Sequence, residues 1–362
     1  MAFVLDKYTA PDFDSEPFRA APSARFLPAP MHGVAPDGYH AMSVFPEYFK
    51  VDGRWLLAEE SRMDCVPVLG EGRIHVVEAR RLQKGDPVAC GRTEDGSEGI
   101  YLHAYGFEAP PEDRQAFAFR QGHSRESSFS RDYDELYDLL RHEREHGKIV
   151  WVMGPAFAFD YDARDAFSRI IAGGYVHAVL AGNALATHDL EGAYLGTALG
   201  QDIYTGKHMR DGHYHHLDTL NRVRSYGSVA RFIEAEQINI GIIYSCEKHG
   251  VPYVLAGSIR DDGPLPCVYG DVYRAQDAMR DQIRQATTVI CMATALHSIA
   301  VGNMTPSYRV LPGGAVRKVY FYCVDISEFT VNKLTDRGSL TSRGIVTNAQ
   351  DFIVNIAKGL GC

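Results

Sequence analysis

From residue 131 to its end, the chain alternates short apolar runs of strand type with segments of helical period, and no other feature limits its fold as much. RDYDELYDLLRHEREHG (131–147) has apolar residues at helical spacing and stops at a glycine. KIVWVMGPA follows as a buried strand entering a Gly-Pro turn, ARDAFSRIIAGG as a helix closed by glycines, and YVHAVLAGN as the next strand. The alternation returns through VARFIEAEQI, GIIYSC, VPYVLAG, DVYRAQDAMRDQIRQA, TTVICMA and KVYFYCVDI. Strands joined by helical crossovers pair in parallel and need cover on both faces. The expectation is an α/β chain whose main unit, residues 111–362, is a Rossmann-like three-layer domain with a mostly parallel sheet.

Upstream the pattern differs. YHAMSVF, EYFKVD, RWLLAE, RIHVVEA, DPVACG and GIYLHAYGF are short strand-type stretches separated by turns such as DGR (52–54) and KGD (84–86). Their spacing predicts a small β-barrel or sandwich over residues 25–110. Residues 1–24, rich in Pro, Asp and Ala and without periodicity, read as an extended arm, and APPED (109–113) as a linker.

The totals exclude some functions. With net charge −9, pI near 5.9 and no Lys/Arg block, the chain lacks the electrostatic footprint of a nucleic-acid or anionic-membrane binder. No apolar run reaches the roughly 18 residues of a membrane span, and the acidic, proline-broken N-terminal stretch is unlike a signal peptide, so a cytoplasmic protein is expected. Seven scattered cysteines with no CxxC, several inside strand-like runs such as IIYSCE and VICMA, read as reduced core residues.

In an open α/β sheet, ligands sit at the carboxyl ends of the strands, and polar residues on small neighbours recur there in this chain. AGNALATHD offers Asn183, with His188 and Asp189 read as capping the next turn. SIRDDG offers Arg260, Asp261 and Asp262 beside a buried strand, suited to binding an ammonium or moving a proton. CMATALHS offers Thr294 and His297, and FYCVDI ends on Asp325, where a ribose-hydroxyl acceptor belongs and where a carboxylate favours NAD over NADP. VMGPAFAFDYDAR lacks the G-x-G-x-x-G fingerprint, although a helix N-terminus can hold a phosphate without it. DGHYHHLD clusters His213, His215 and His216. These could contact a substrate or cofactor, play a structural part or bind a metal, but no HExxH or Cys/His spacing supplies a further ligand.

GGYVHAVLAGNALATHDLEGAYLGTALG, GHYHHLDTLNRVRSYGS, VPYVLAGSIRDDGPLP, LHSIAVGNMTPS and CVDISEFTVNKLTDRGSLTSRGIVTN resemble the core of the family once labelled the LOR/SDH region. That family includes archaeal ornithine cyclodeaminases and the C-terminal part of cyanobacterial arginine dihydrolase/ornithine cyclodeaminases. HGVAPDGYHAMSVFPEYFKVDGRW and RMDCVPV resemble the β-domain preceding it, so the likeness covers roughly residues 30–358. The resemblance implies a Rossmann-like domain binding NAD through Asn183, Ala184, Asp262, Thr294, Ala295, Leu296, His297, Asp325, Ile345 and Val346. It also implies conversion of L-ornithine to L-proline and ammonia. In such a reaction the substrate Cα is oxidised, the side-chain amine closes a ring and expels ammonia, and the cyclic imine is reduced, regenerating NAD within the turnover.

Asp261 with His213 and His216 would then handle protons, and Arg260 would hold the substrate carboxylate through its bidentate fork. A homo-oligomer, dimer or tetramer, is the assembly expected of such enzymes. Two departures stand out. The family reads GPAxVHTG where this chain has GPAFAFDYDA, with Phe159, Asp160, Tyr161 and Asp162, and it reads GIVTD where this chain has Asn348. They leave open another diamino or guanidino acid as substrate. From other classes, a metal-dependent hydrolase built on His213, His215 and His216 and a non-catalytic NAD sensor also remain.

Overall fold

The structure, a computed structural model, describes residues 4–107, 130–261, 263–335 and 342–362. Asp262 and the 109–113 linker lie outside them. Six parallel strands form the main sheet: Ile149–Met153, Ala178–Gly182, Tyr253–Ala256, Thr288–Met292, Tyr320–Asp325 and Ser342–Val346. Numbered along the chain, their order across the sheet is third, second, first, fourth, fifth, sixth. This is the doubly wound order of the Rossmann fold, and the connections change direction between the first and fourth strands.

Each face of the sheet is covered, which is why the strands read as continuous apolar runs. On one side Trp151, Val179 and Ile290 pack with Phe167, Leu185, Phe232 and Phe352 from the helices above. On the other Val152, Leu180 and Cys291 meet Ala275, Met279, Ile283, Val301 and Val331. At the switch in direction the turns after the first and fourth strands touch, and the Gly154 N–H donates to the Met292 carbonyl at 2.9 Å.

The upstream unit is two antiparallel sheets. One is ordered Arg25–Pro28, Pro87–Cys90, Cys65–Gly70, Arg73–Glu78, and the other Arg54–Leu57, Glu47–Val51, Ile100–Leu102. Phe49 and Ile100 of the smaller sheet share a core with Cys65, Ile74 and Ala89 of the larger. Residues 39–45, expected as a strand, carry only an isolated bridge at Tyr39, whereas Cys65–Gly70 supplies the strand. The N-terminal arm lies along this unit. Phe13 stacks on Trp55 with centroids 5.1 Å apart, and Lys50 Nζ donates to the Phe18, Arg19 and Ala21 carbonyls.

The strand-like run IIYSC is instead the start of a helix, Ile242–His249. Glycines bracket it, Ile242, Ile243 and Cys246 lie on its buried side, and Asp189 caps it from another helix by accepting from the Ile242 and Ile243 N–H groups at 3.0 and 2.8 Å. All seven cysteines are free, five of them buried. No helix among the described residues is long and apolar enough to cross a membrane.

Asn348 proves to be a helix cap. Its Oδ1 accepts from the Gln350 and Asp351 N–H groups at the start of Ala349–Leu360. Asn and Asp cap about equally well, so this departure is chemically neutral. Asn348→Asp is expected to change stability by no more than about 0.5 kcal/mol and Asn348→Ala to cost about 1 kcal/mol, measured by denaturant unfolding.

Candidate functional site

The carboxyl ends of the six parallel strands lie along one edge of the sheet, where the crevice of a doubly wound fold falls, and the helices that follow them differ in how they are capped. Asp160 caps Tyr161–Ala172, Asp271 caps Val272–Ile283, Ser327 Oγ accepts from Thr330 N ahead of Glu328–Thr335, and Asn348 caps the last helix. Helices Asn183–Leu195 and Ala295–Met304, after the second and fourth strands, have no side-chain cap. Gly182 has no side chain to offer, and Thr294 Oγ1 turns instead to His297 Nδ1, 3.3 Å away. Uncapped first-turn N–H groups are anion seats, and these two lie on either side of the switch in strand direction. The sequence-selected Asn183, Ala184, Thr294, Ala295, Leu296 and His297 are the residues at those two starts.

Close packing shapes the floor. A Cβ on Gly182 would lie 3.0 Å from the His297 ring, which burial holds neutral by lowering its pKa. Ala293 adopts φ +53° where the fourth strand turns out of the sheet. Asp325, at the end of the fifth strand, accepts from Ser327 N–H at 2.8 Å through one oxygen. The exposed side chains of Leu296, Ile326 and Phe329 rim that half of the crevice. Ile345 is buried in the core, and Val346, half-buried, ends the sixth strand.

Asn183 has its side chain committed. Its Oδ1 accepts from Leu265 N–H and Thr187 Oγ1, and its Nδ2 faces Asp261 Oδ1 at 3.4 Å. Asp261 Oδ2 accepts from Ser258 N–H at 2.7 Å, so the carboxylate is held at the crevice wall. Arg260 is exposed, with no ion pair among the described residues.

The structure divides the histidine trio. His213 is exposed with its ring tilted against that of Tyr214, His215 Nδ1 lies 2.8 Å from Thr197 Oγ1, and His216 lies against His188 with centroids 5.0 Å apart. His188, His216 and Glu191 form the cluster that sequence reasoning missed, their donor atoms within 4.8 Å of one another. A His-x-x-Glu spacing on a helix places both side chains on one face and was the available signal. As a metal site it is poorly disposed, because all four lone-pair positions of Glu191 are occupied: Oε1 by Thr197 Oγ1 and Gly200 N–H, Oε2 by His188 Nδ1 and Leu199 N–H.

The His188-Asp189 pair has divided roles. Asp189 faces away from His188's cluster, pairs with buried Arg164 at 2.9 Å and caps Ile242–His249. In the altered turn, Asp160 is a helix cap, the Phe159 ring lies 5.2 Å from His188, and Tyr161 meets Tyr204 edge-on. The turn therefore presents aromatic rings more than acidity.

Strand order and the two uncapped helix starts define a Rossmann-type domain. Residues 135–356 match the C-terminal, Rossmann-fold domain of ArgZ-like arginine dihydrolases, and the chain belongs to that family. Ornithine cyclodeaminase of Methanopyrus kandleri is 38% identical over 343 residues, covering 93% of this chain and 78% of the relative. A conserved LOR/SDH protein from Methanococcus maripaludis superposes with TM-score 0.84 at 36% identity, over 94% of this chain and 98% of that one. AgrE in ternary complex with ornithine and NAD+ superposes with TM-score 0.57 at 33% identity, over 94% of this chain and 46% of that one.

Proposed function

We propose that the protein is a cytoplasmic, homo-oligomeric, NAD-dependent amino-acid cyclodeaminase that converts L-ornithine to L-proline and ammonia. The observation that carries this reading is the pair of uncapped helix starts flanking the switch point, with Asp325 on one side and a proton-carrying cluster on the other. The relatives named ornithine cyclodeaminase support the substrate.

The N–H groups of Asn183 and Ala184 and of Ala295 to His297 would seat the pyrophosphate, and Asp325 with its second oxygen would take a ribose diol. Leu296, Ile326 and Phe329 would cover the adenine face, the Ile345–Val346 backbone would flank it, and family likeness adds Asp262 to the cofactor contacts. NAD, when bound, supplies the two-electron acceptor and donor that oxidation at Cα and closure of the ring require. The protein's own part is to bind the carboxylate through Arg260, to take protons at Asp261 and the histidines 213 and 216, and to keep water from the imine.

The test is incubation of purified protein with L-ornithine, following proline and ammonia by mass spectrometry. Proline without net NADH is the expected result, and bound NAD without proline overturns the substrate. Asp261→Asn is expected to reduce turnover by about 10²-fold or more while NAD stays bound. Retained activity removes Asp261 from proton transfer. A second reading, a different diamino or guanidino acid, draws support from Phe159 and Tyr161, which place two rings where relatives have a small polar turn, and aromatic faces attract cations.

A further inference from the structure

We propose that Glu191 is the positioning carboxylate of the crevice, holding both His188 and His215 with the proton on Nδ1 and leaving Nε2 of each as the basic nitrogen. This rests on the cyclodeaminase reading only for the reaction those nitrogens serve, in which it adds His188 and His215 to the proton carriers named above; the hydrogen-bond accounting stands without it.

The accounting begins with a carboxylate that has no solvent exposure. Burial pushes its pKa up, but the bonds from His188, the Gly200 N–H and Thr197 outweigh burial and bring it below the usual range, so Glu191 is an anion at neutral pH. An ionised carboxylate only accepts, so His188 Nδ1, 3.0 Å from Oε2, must carry a hydrogen. Thr197 has one hydroxyl hydrogen and spends it on Glu191 Oε1 at 2.9 Å. Its oxygen can therefore only accept from His215 Nδ1, 2.8 Å away, and that nitrogen is an N–H too. One buried charge thus sets two tautomers, one directly and one through a hydroxyl.

The backbone is bent to keep this arrangement. Helix Asn183–Leu195 ends at Gly196, and the hairpin Thr197–Ala198 with Gln201–Asp202 folds back over it. Leu199, at φ +54°, and Gly200, at φ +72°, are consecutive left-handed residues whose N–H groups both point at Glu191. For a leucine that conformation is strained, and such strain gathers where the surroundings impose it. Gly200 also presses on Gly212, where a Cβ would meet backbone atoms at 2.4 Å, so the hairpin clamps the segment that brings in His215 and His216. His188 is fixed from both sides, by Phe159 at 5.2 Å and His216 at 5.0 Å between centroids.

The experiment is long-range ¹H–¹⁵N correlation on the full-length protein carrying ¹⁵N-histidine, at a pH where the rings are neutral, with signals assigned through His188→Gln and His215→Gln. Both rings are expected as Nδ1–H tautomers. In Glu191→Gln both lose that preference, and kcat falls by about 10²-fold or more with KM and NAD affinity nearly unchanged. If that variant fails to fold, Thr197→Val severs one branch alone: His215 changes tautomer, His188 does not, and Thr197→Ser restores His215. An Nε2–H tautomer at either ring in the unaltered protein, an unaltered tautomer at either ring in Glu191→Gln, or an unaltered His215 tautomer in Thr197→Val overturns the proposal. Failure to turn over ornithine would sink the substrate reading instead, because the tautomers are read without turnover.

Discussion

Asp189→Ala is expected to lower the free energy of unfolding by about 3–5 kcal/mol, the range for removing one partner of a buried ion pair. Three losses coincide in that variant. Arg164, almost fully buried, keeps its charge without the carboxylate at 2.9 Å. The Ile242 and Ile243 N–H groups at the start of Ile242–His249 lose their acceptors. The space around Arg164 is also filled: a Cβ on Gly192 would lie 3.0 Å from the guanidinium, so the cation cannot easily swing out to water. For a domain of this size about 2–4 °C of Tm accompanies each kcal/mol, which predicts a fall of roughly 6–20 °C by circular dichroism. Asp189→Asn, keeping an acceptor for the helix but not the charge, should fall between. A Tm within about 1 °C of the unaltered protein would mean that Arg164 finds another partner or solvent.

Gly154→Ala is expected to weaken NAD binding by at least about 100-fold, some 2.7 kcal/mol, in isothermal titration calorimetry. The cause is space and not backbone conformation, since Gly154 at φ −83° and ψ 172° is open to any residue. A Cβ there would sit 1.8 Å from the Ala293 carbonyl oxygen and 2.6 Å from its carbon. Those atoms are backbone and cannot rotate aside, so the first and fourth strand ends must part. The Gly154 N–H to Met292 bond and the turn presenting Thr294 to His297 would be displaced together. Gly182→Ala is the internal control. Its one tight Cβ contact is with the tip of the His297 ring, at 3.0 Å, while the Ala256 carbonyl at 3.7 Å is at ordinary contact distance; a side chain can turn, so a loss of a few-fold is expected. Equal affinities for the two variants would show that the switch-point contact does not shape the cofactor site.

Much of this architecture was legible because it is local. A strand covered on both faces must be apolar throughout and a helix covered on one face must repeat near 3.6, so the α/β class, the three layers and the strand ends that meet at the crevice could be read from periodicity. Short runs defeated the same reasoning: IIYSC has strand composition, and only Asp189, more than fifty residues earlier, capping its first turn marks it as a helix. The altered turn and Asn348 were visible as departures. That Asp160 and Asn348 are spent on helix caps was not, because a cap depends on where the chain turns.

The sequence by itself determined the periodic elements and the supply of polar groups at the strand ends, because burial on a face repeats at short range. Only the tertiary structure decided which of those groups meet. The order of the strands brings Gly154 against Ala293, sends Asp189 to Arg164, and closes a left-handed hairpin over Glu191 so that one carboxylate orders His188 and His215. Hydrogen-bond partners are assigned in space, and distance along the chain does not encode them.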